Sequence, residues 1–389
     1  MTDTRKTIRA AVVGAGMAGQ AHAFGYRNAT MAADLADVRV ELATIVDPNL
    51  ELAQTVKNRY GFEKAVADID EMLADPSIDV VSVALPNNLH AQVLPKVIAS
   101  GKHLFAEKPI GRTPAEAADL HRQAAGGDSI TGVGFSFRRL PGLSAVAKAV
   151  ADGVIGDPYA VRAWYNADYA ADPHGALSWR YSQDLSGGGA ILDIGAHAID
   201  AAQYVVGPIE RVLHATTRTF IAQRPKPVAG GIGHGAAVSD ETGQVTNDDV
   251  ALITVQFEGG AVGQIALNRI AHGLPNSLGV EVIGSAGHIL FDSMSAGEFH
   301  VFEAGAATSA LNGARRVITG PQHPYFADVA PMPGAGVGTG YGEAFVAEIQ
   351  EFLRCVRDDR PMDTDFAVAE SVMNVVGDAL QAARSPQTH

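Results

Sequence analysis

The stretch Val12-Val13-Gly14-Ala15-Gly16-Met17-Ala18-Gly19 decides how the rest of this sequence is read. It follows the apolar run Ile8 to Val13 and precedes a helix-like segment, Gln20 to Asn28. Its glycines therefore stand in the spacing G-x-G-x-x-G at a strand-to-helix turn. Each glycine meets a different steric demand. Gly14 lets the chain turn sharply out of the strand, Gly16 presents no side chain to a pyrophosphate, and Gly19 lets helix pack closely on strand. The helix N-terminus turns the N–H groups around Met17 and Ala18 toward the phosphates. The next strand-like run, Val38 to Val46, ends at Asp47, whose carboxylate is placed to accept hydrogen bonds from the ribose hydroxyls of an adenosine. Asp47 lies further from the glycines than the usual spacing of about 20 residues, which a longer first helix and a loop over 28–37 account for. A carboxylate there repels a 2′-phosphate, and no arginine directly follows it. The expected cofactor is NAD rather than NADP.

At 389 residues the chain is too long for one ordinary core, so two domains are expected. Hydrophobic residues make up 47% of it, enough for extensive burial. The 29 basic and 43 acidic residues give a net charge of −14, which argues against nucleic acid or an anionic membrane as partner. Cys355 is the only cysteine, so neither an internal disulfide nor a cysteine-built zinc site is available. It lies in a helix-like segment and reads as a small core residue rather than a nucleophile. Met1 to Arg9 is polar and leads straight into a strand, unlike a signal peptide, and no apolar run reaches the about 18 residues that span a bilayer. The expected location is cytoplasmic.

Strand-like and helix-like segments alternate through the first third. Helices are expected over Leu50 to Arg59, Ile69 to Leu73, Leu89 to Ser100 and Pro114 to Gln123, and strands over Ile78 to Ala84, His103 to Ala106 and Ile130 to Phe135. The near-continuous apolar character of these strands belongs to a parallel sheet covered on both faces, and the repeat to a doubly wound α/β domain. From Tyr159 onward strand-like runs follow one another: Ala160 to Tyr165, Arg211 to Phe220, Ala251 to Phe257, Ala261 to Ile270, Val280 to Ile283, His288 to Phe291 and Glu298 to Phe302. Glu258-Gly259-Gly260 and Ser285-Ala286-Gly287 are hairpin turns between them, so this sheet is antiparallel or mixed. One long helix, Ala190 to Val205, is inserted early. Residues 222–246, rich in Gly, Pro and Thr, read as a long loop, and Pro321 to Gly340 as a second irregular stretch. Helices over Glu343 to Val356 and Phe366 to Ala383 close the chain and pack back on the body.

Three clusters stand where such a domain presents its ligand edge. Pro86-Asn87-Asn88-Leu89-His90 follows a strand and can shape a loop against the nicotinamide ribose; read alone it is a strand exit with an Asn-capped helix. Glu107-Lys108-Pro109 follows the strand at Leu104 to Ala106. The proline is a candidate for a cis bond, Glu107 can contact the nicotinamide ribose, and the Lys108 ammonium can hydrogen-bond a substrate hydroxyl. Read alone, Lys108 is a solvated surface lysine. The run Gly187-Gly188-Gly189 leads into Ala190 to His197, placing Asp193 and His197 four apart on one helical face. Histidine suits a general base, and the aspartate can orient it or hold a neighbouring hydroxyl; the ordinary alternative is a helix-surface pair. No third ligand of suitable spacing accompanies them, so no metal site is expected. Arg138, Tyr165, Asn166, His323 and Tyr325 are further candidates for a substrate pocket, and Trp179 and Arg180 for the cofactor, although cap, packing or rim roles would also explain each.

The order and context of these motifs resemble the Gfo/Idh/MocA oxidoreductase family over nearly the whole length: Gly14-x-Gly16-x-x-Gly19, Asp47, Pro86-Asn87-x-x-His90, Glu107-Lys108-Pro109, Gly134-Phe135-x-x-Arg138 and Asp193-x-Gly195-x-His197. The resemblance implies a Rossmann domain over 1–133 and a C-terminal α/β domain over 134–389. The second would carry a large open, mostly antiparallel sheet that forms a homodimer or homotetramer. It implies oxidation or reduction of a secondary hydroxyl on a sugar or cyclitol, with Lys108, Asp193 and His197 as the catalytic trio and either Lys108 or His197 taking the proton. Leu177-Ser178-Trp179-Arg180, Asn268 to Gly273 and Thr319 to Tyr325 resemble the branch of the family that oxidises C3 of levoglucosan, a 1,6-anhydroglucose, with NAD. One departure stands out. Ser136 and Phe137 occupy positions where relatives often carry Asn and Tyr. The rival readings are an inositol or other sugar dehydrogenase, an NAD-binding sensor without turnover, and a hydrolase that never releases its NAD.

Overall fold

The structure, a computed structural model, describes residues 5–384 apart from 229–235, 306–309, 311 and 335. The first four residues, part of the 222–246 stretch and residue 335 of the second irregular stretch thus lie outside the described residues. The chain forms two compact units. One comprises Met1–Gly111, Ala115–Leu140 and Gly320–Glu370; the other comprises Arg112–Pro114, Pro141–Thr319 and Ser371–His389.

The first unit alternates β1 (Lys6–Val13), α1 (Met17–Asn28), β2 (Val38–Val46), α2 (Leu50–Tyr60), β3 (Lys64–Val66), α3 (Ile69–Leu73), β4 (Val80–Val83), α4 (Asn87–Ala99), β5 (His103–Ala106), α5 (Pro114–Ala124) and β6 (Thr131–Val133). The strands pair in parallel in the order β3-β2-β1-β4-β5-β6. This is the doubly wound α/β sheet that the apolar strands imply. Strand order reverses between β1 and β4, and the carboxyl ends there are where such sheets take ligands. Alternate β1 residues Ile8, Ala10 and Val12 are fully buried, and so are Ala11 and Val80, as a sheet covered on both faces requires. Three details differ from the sequence expectation. The short edge strand β3 is additional, α1 begins at Met17 rather than Gln20, and α4 begins at Asn87. Pro86 is the N-cap of α4, so no asparagine caps that helix, and Asn87 is buried in its first turn.

The second unit begins with α6 (Pro141–Ala151) and β7 (Pro158–Asn166). The short helices α7 (Gln183–Ser186) and α8 (Ala190–Asp193) follow, then α9 (Gly195–Val206) and β8 (Ile209–Arg218). A two-stranded ladder, β9 (Gln223–Pro227) and β10 (Val238–Gln244), occupies much of the stretch expected to be loop. It is anchored by Arg224, wholly buried, whose guanidinium donates to the carbonyl of Asp172 at 2.6 Å. Next come β11 (Val250–Phe257), β12 (Val262–Asn268), β13 (Ser277–Gly284), β14 (Gly287–Asp292), β15 (Glu298–Glu303) and β16 (Arg315–Ile318), the last not foreseen from sequence. Eight strands pair in the order β16-β15-β14-β13-β7-β12-β11-β8, antiparallel except for β7 with β12. Helices α6, α8 and α9 pack on one face of this sheet. Along β11 burial alternates, with Ala251, Ile253, Val255 and Phe257 inward and Leu252 outward.

The expected single helix over 190–205 is broken. Ile194 ends α8 and caps α9, so Asp193 closes one helix and His197 sits in the first turn of the next. The close approach of Gly195 to β12 goes with the break: a β-carbon there would lie 2.7 Å from Leu267 Cδ1. The chain ends with α10 (Phe326–Val329), α11 (Tyr341–Asp358) and α12 (Phe366–Arg384). Within the first unit α11 packs on α1, where Gly25 leaves room for Ile349; a β-carbon would come within 2.7 Å of it. Cys355 is a buried residue of α11, and burial pushes its thiol up to about 12. No helix among the described residues is long and apolar enough to cross a membrane.

Candidate active site

In the first unit the glycine loop has the steric logic of a pyrophosphate cradle. Gly14 adopts φ +101°, and a β-carbon there would lie 2.2 Å from the carbonyl oxygen of Ala84. At Gly19 a β-carbon would lie 1.8 Å from the Gly14 carbonyl oxygen, so helix and turn meet backbone to backbone. At Gly16 it would meet nothing within 4 Å. Gly16 is also the N-cap of α1 and offers no side-chain cap, which leaves the N–H groups of the first turn, with Met17 and Ala18, available to an anion. Asp47 is drawn to the same loop: its Oδ2 accepts from the Ala15 N–H at 2.9 Å and its Oδ1 from the Asn49 N–H at 2.8 Å. Open space beside Gly16, uncapped N–H groups and a carboxylate at the end of β2 fit the phosphates and adenosine ribose of NAD.

The end of β5 carries the second cluster. The Lys108–Pro109 bond is cis. The Lys108 N–H donates to Glu107 Oε2 at 3.1 Å, and His90 Nδ1 lies 2.8 Å from the Pro109 carbonyl oxygen. Lys108 is thus held on both sides by side chains. His90, expected against the cofactor, is wholly buried and meets the loop through Nδ1; burial lowers the pKa of its imidazole. Glu107 Oε1 lies 3.2 Å from Nε2 of His22, a buried α1 residue that the sequence reading did not single out. Burial pushes the Glu107 carboxyl up, but His22 and the Lys108 ammonium outweigh it and hold the group below its usual range.

In the second unit Tyr165 and Asn166 end β7, Trp179 and Arg180 lie in the turn ahead of α7, Asp193 ends α8 and His197 sits in the first turn of α9. Asp248, ahead of β11, shapes the glycine run: its Oδ1 accepts from Gly189 N–H at 3.0 Å and its Oδ2 from Ile191 N–H at 2.8 Å. A β-carbon on Gly189 would fall 1.9 Å from the Asp248 carbonyl oxygen. The Asp193 carboxylate receives the Tyr169 hydroxyl on Oδ2 at 2.8 Å, and Arg180 Nε lies 3.6 Å from the same oxygen. Arg180 stacks on Trp179 at 4.5 Å. The His197 ring lies 5.9 Å from that of Tyr165, whose hydroxyl donates to Asn276 Oδ1 at 2.5 Å. Behind these residues Arg269, wholly buried, donates to Asp249 Oδ1 and to Asn247 Oδ1 and fixes the turn carrying Arg180 through that residue's carbonyl.

Lys108 therefore belongs to the first unit, whereas Asp193 and His197 belong to the second. Arg138, His323 and Tyr325, expected near substrate, all belong to the first. Arg138 is buried and donates to the Asp363 carbonyl at 3.2 Å, and the Tyr325 hydroxyl accepts from Arg139 at 2.6 Å. His323 Nδ1 accepts from the Gly320 N–H at 2.9 Å. At the departure from the family pattern, Ser136 Oγ lies 3.2 Å from the Tyr341 hydroxyl and the Phe137 ring 4.8 Å from the Tyr341 ring, so a tyrosine from α11 serves this corner. The groups the sequence reading missed are Tyr169, His22 and the run Asn247-Asp248-Asp249. None had a local signal: even the last, three polar residues in a row before an apolar strand, reads as a solvated turn. No group of three or more His, Cys, Asp or Glu among the described residues could hold a metal.

Residues 8–135 match the model of an oxidoreductase family with an NAD-binding Rossmann fold, and residues 143–290 match the GFO/IDH/MocA C-terminal domain. Levoglucosan dehydrogenase of Pseudarthrobacter phenanthrenivorans is 33% identical over 364 residues, covering 93% of this chain and 92% of that protein. The scyllo-inositol 2-dehydrogenase (NAD(+)) of Bacillus subtilis is 26% identical over 361 residues, covering 92% and 89%. Among solved structures, levoglucosan dehydrogenase in complex with NADH and levoglucosan aligns with a TM-score of 0.90 at 31% identity, covering 97% of each chain.

Proposed function

The chain belongs to the Gfo/Idh/MocA oxidoreductase family, and from that premise we propose that it oxidises a secondary ring hydroxyl of a pyranose with NAD, specifically the C3 hydroxyl of levoglucosan. The observation that carries this reading is its whole-length likeness to levoglucosan dehydrogenase, at 33% identity, in a chain that carries Lys108, Asp193 and His197. The phosphates would rest on Gly16 to Gly19 and the adenosine ribose on Asp47, with Pro86, Asn87, Glu107, Trp179 and Arg180 completing the cofactor contacts. Bound there, NAD supplies the acceptor for the hydride leaving the ring carbon. Lys108 hydrogen-bonds the reacting hydroxyl and stabilises the developing alkoxide, His197 removes the proton, and Asp193 holds a neighbouring hydroxyl. The functional boundary falls after residue 133, with substrate binding assigned to 134–389. The open face of the eight-stranded sheet is assigned to a second copy of the chain. A cytoplasmic location accords with the single cysteine.

A second reading has support of its own. Similarity to scyllo-inositol 2-dehydrogenase over 92% of the chain favours the same chemistry on a cyclitol. The experiment follows NADH formation when NAD meets levoglucosan, glucose, other pyranosides and myo-inositol, with NADP, Lys108→Ala and His197→Ala as controls. Levoglucosan is expected to give the strongest signal. General-base help is worth roughly two to four orders of magnitude, so His197→Ala should lose turnover on that scale while NAD binding persists. A strong signal on myo-inositol alone would move the substrate to the cyclitol. Silence across the panel, with NAD still bound, would overturn the dehydrogenase reading in favour of a sensor.

A further inference from the structure

Asp193 occupies an insecure position on the backbone. It is the last residue of a four-residue helix, and the chain breaks at the next residue before α9 begins. A helix of one turn does little to fix the rotation of a side chain at its end, yet a carboxylate that is to hold one sugar hydroxyl in register must be fixed. The chain supplies that constraint from elsewhere. The Tyr169 hydroxyl donates to Asp193 Oδ2 at 2.8 Å, from a loop 24 residues earlier. The body of Tyr169 packs with Ala170, Tyr181 and Val245, and with Leu177 and Ile270 beside them. Arg180, stacked on Trp179, brings its Nε to 3.6 Å from the same oxygen. Burial, and then the Asp193 charge, push the Tyr169 phenol well above its ordinary value, so it remains a donor throughout any working range of pH.

We infer that Tyr169 is the positioning residue for Asp193: its hydroxyl holds Oδ2 and so fixes the rotation of the carboxylate that is to meet the sugar. This inference rests on the proposed oxidation of a ring hydroxyl. It deepens that proposal by naming the substrate feature read at Asp193, a hydroxyl vicinal to the one oxidised. The enzyme then selects for a vicinal diol, and Tyr169 sets how strictly. A hydrogen bond to a charged group contributes enough to make the loss about ten- to a hundredfold in kcat/KM.

The test pairs Tyr169→Phe with Asp193→Ala. Tyr169→Phe keeps the ring in its apolar setting and deletes only the donor, so its melting temperature and NAD affinity should match the wild type. Its kcat/KM should fall about ten- to a hundredfold on the sugar that the wild type turns over best. Its preference for that sugar over the analogue deoxygenated at the neighbouring carbon should shrink by a similar factor. Added to Asp193→Ala, Tyr169→Phe should cost nothing further, because the partner is already gone. An equal loss in both backgrounds, or a preference left intact while rate falls, would overturn the inference. Crystal structures of the wild type and of Tyr169→Phe decide it independently of turnover. The Asp193 carboxylate should rotate in the variant, and an unmoved carboxylate would refute positioning by Tyr169. If the wild type oxidises no sugar or cyclitol, the proposed function falls, and the crystallographic comparison still decides whether Tyr169 orients Asp193.

Discussion

Replacing Glu348 with glutamine should stabilise the protein, and more so as pH rises. Glu348 lies on α11 with 1% of its surface exposed, and neither carboxyl oxygen has a hydrogen-bond partner among the described residues. Burial raises the pKa of this carboxyl well above its ordinary value, the Glu107 carboxylate adds to the rise, and the Arg139 guanidinium opposes it. Two carboxyls in one low-dielectric region share a proton unequally. Glu107 has donors in His22 and the Lys108 N–H and stays ionised; Glu348 has none and keeps the proton. The unfolded chain releases that proton at the ordinary value, about 4.3, while the folded chain retains it until the raised value. Between the two the folded state binds one proton more, so stability falls as pH rises, by about 1.4 kcal/mol per pH unit. Glutamine does not titrate and escapes that loss. The gap between Glu348→Gln and the wild type should therefore widen by about 1.4 kcal/mol per pH unit between the ordinary value and the raised one. For a cooperative unit of 150–250 residues this is roughly 3–5 °C in melting temperature. Thermal melts of both proteins across that range read it directly, with Glu348→Ala as a cavity control: it cannot titrate either, so it should follow the same slope, offset from Glu348→Gln by a constant cavity cost. A Glu348→Gln gap that stays flat with pH would mean that Glu348 is already ionised in the folded protein, and the argument from burial would fail.

Two further outcomes follow from the geometry. Gly19→Ala should destabilise the first unit, since its β-carbon would fall 1.8 Å from the Gly14 carbonyl oxygen, whereas Gly16→Val should melt like the wild type and lose NAD affinity, since nothing lies within 4 Å. Thermal melts and NAD titration separate the two, and a Gly16→Val variant that binds NAD normally would remove that residue from the cofactor site. On the open face of the large sheet Ile283, Ala160, Val262 and Gln256 pair in one row across four strands, and Ile283, Val262 and Leu252 are each about half exposed. Val262→Lys should convert a dimer or tetramer to monomers in light scattering without lowering the melting temperature, and a monomeric wild type would end that reading.

What could be read from sequence and what could not divide along a physical line. The glycine loop was legible because each glycine meets a demand set by its own strand and helix, so spacing alone carries the information. The parallel and mostly antiparallel sheets were legible for the same reason: apolar runs and hairpin turns are local signals. The break at Ile194 was not, because its residues favour a helix and the interruption accompanies a contact with Leu267, more than seventy residues away. The ladder of β9 and β10 was hidden in a composition that reads as loop, and it is held by a guanidinium buried against carbonyls of Ala170 and Asp172. Asn247, Asp248 and Asp249 show the limit most clearly. Three adjacent polar residues predict solvent, since such groups are seldom buried without partners. Here all three are buried, and each is occupied with groups from distant segments: Asn247 with Arg180 and Arg269, Asp248 with Gly189 and Ile191, Asp249 with Arg269, Phe220 and Ile221. Sequence names the groups proposed to do chemistry because their motifs are local. The groups that aim them, Tyr169 on Asp193 and His22 on Glu107, become visible only when the fold brings their partners to them.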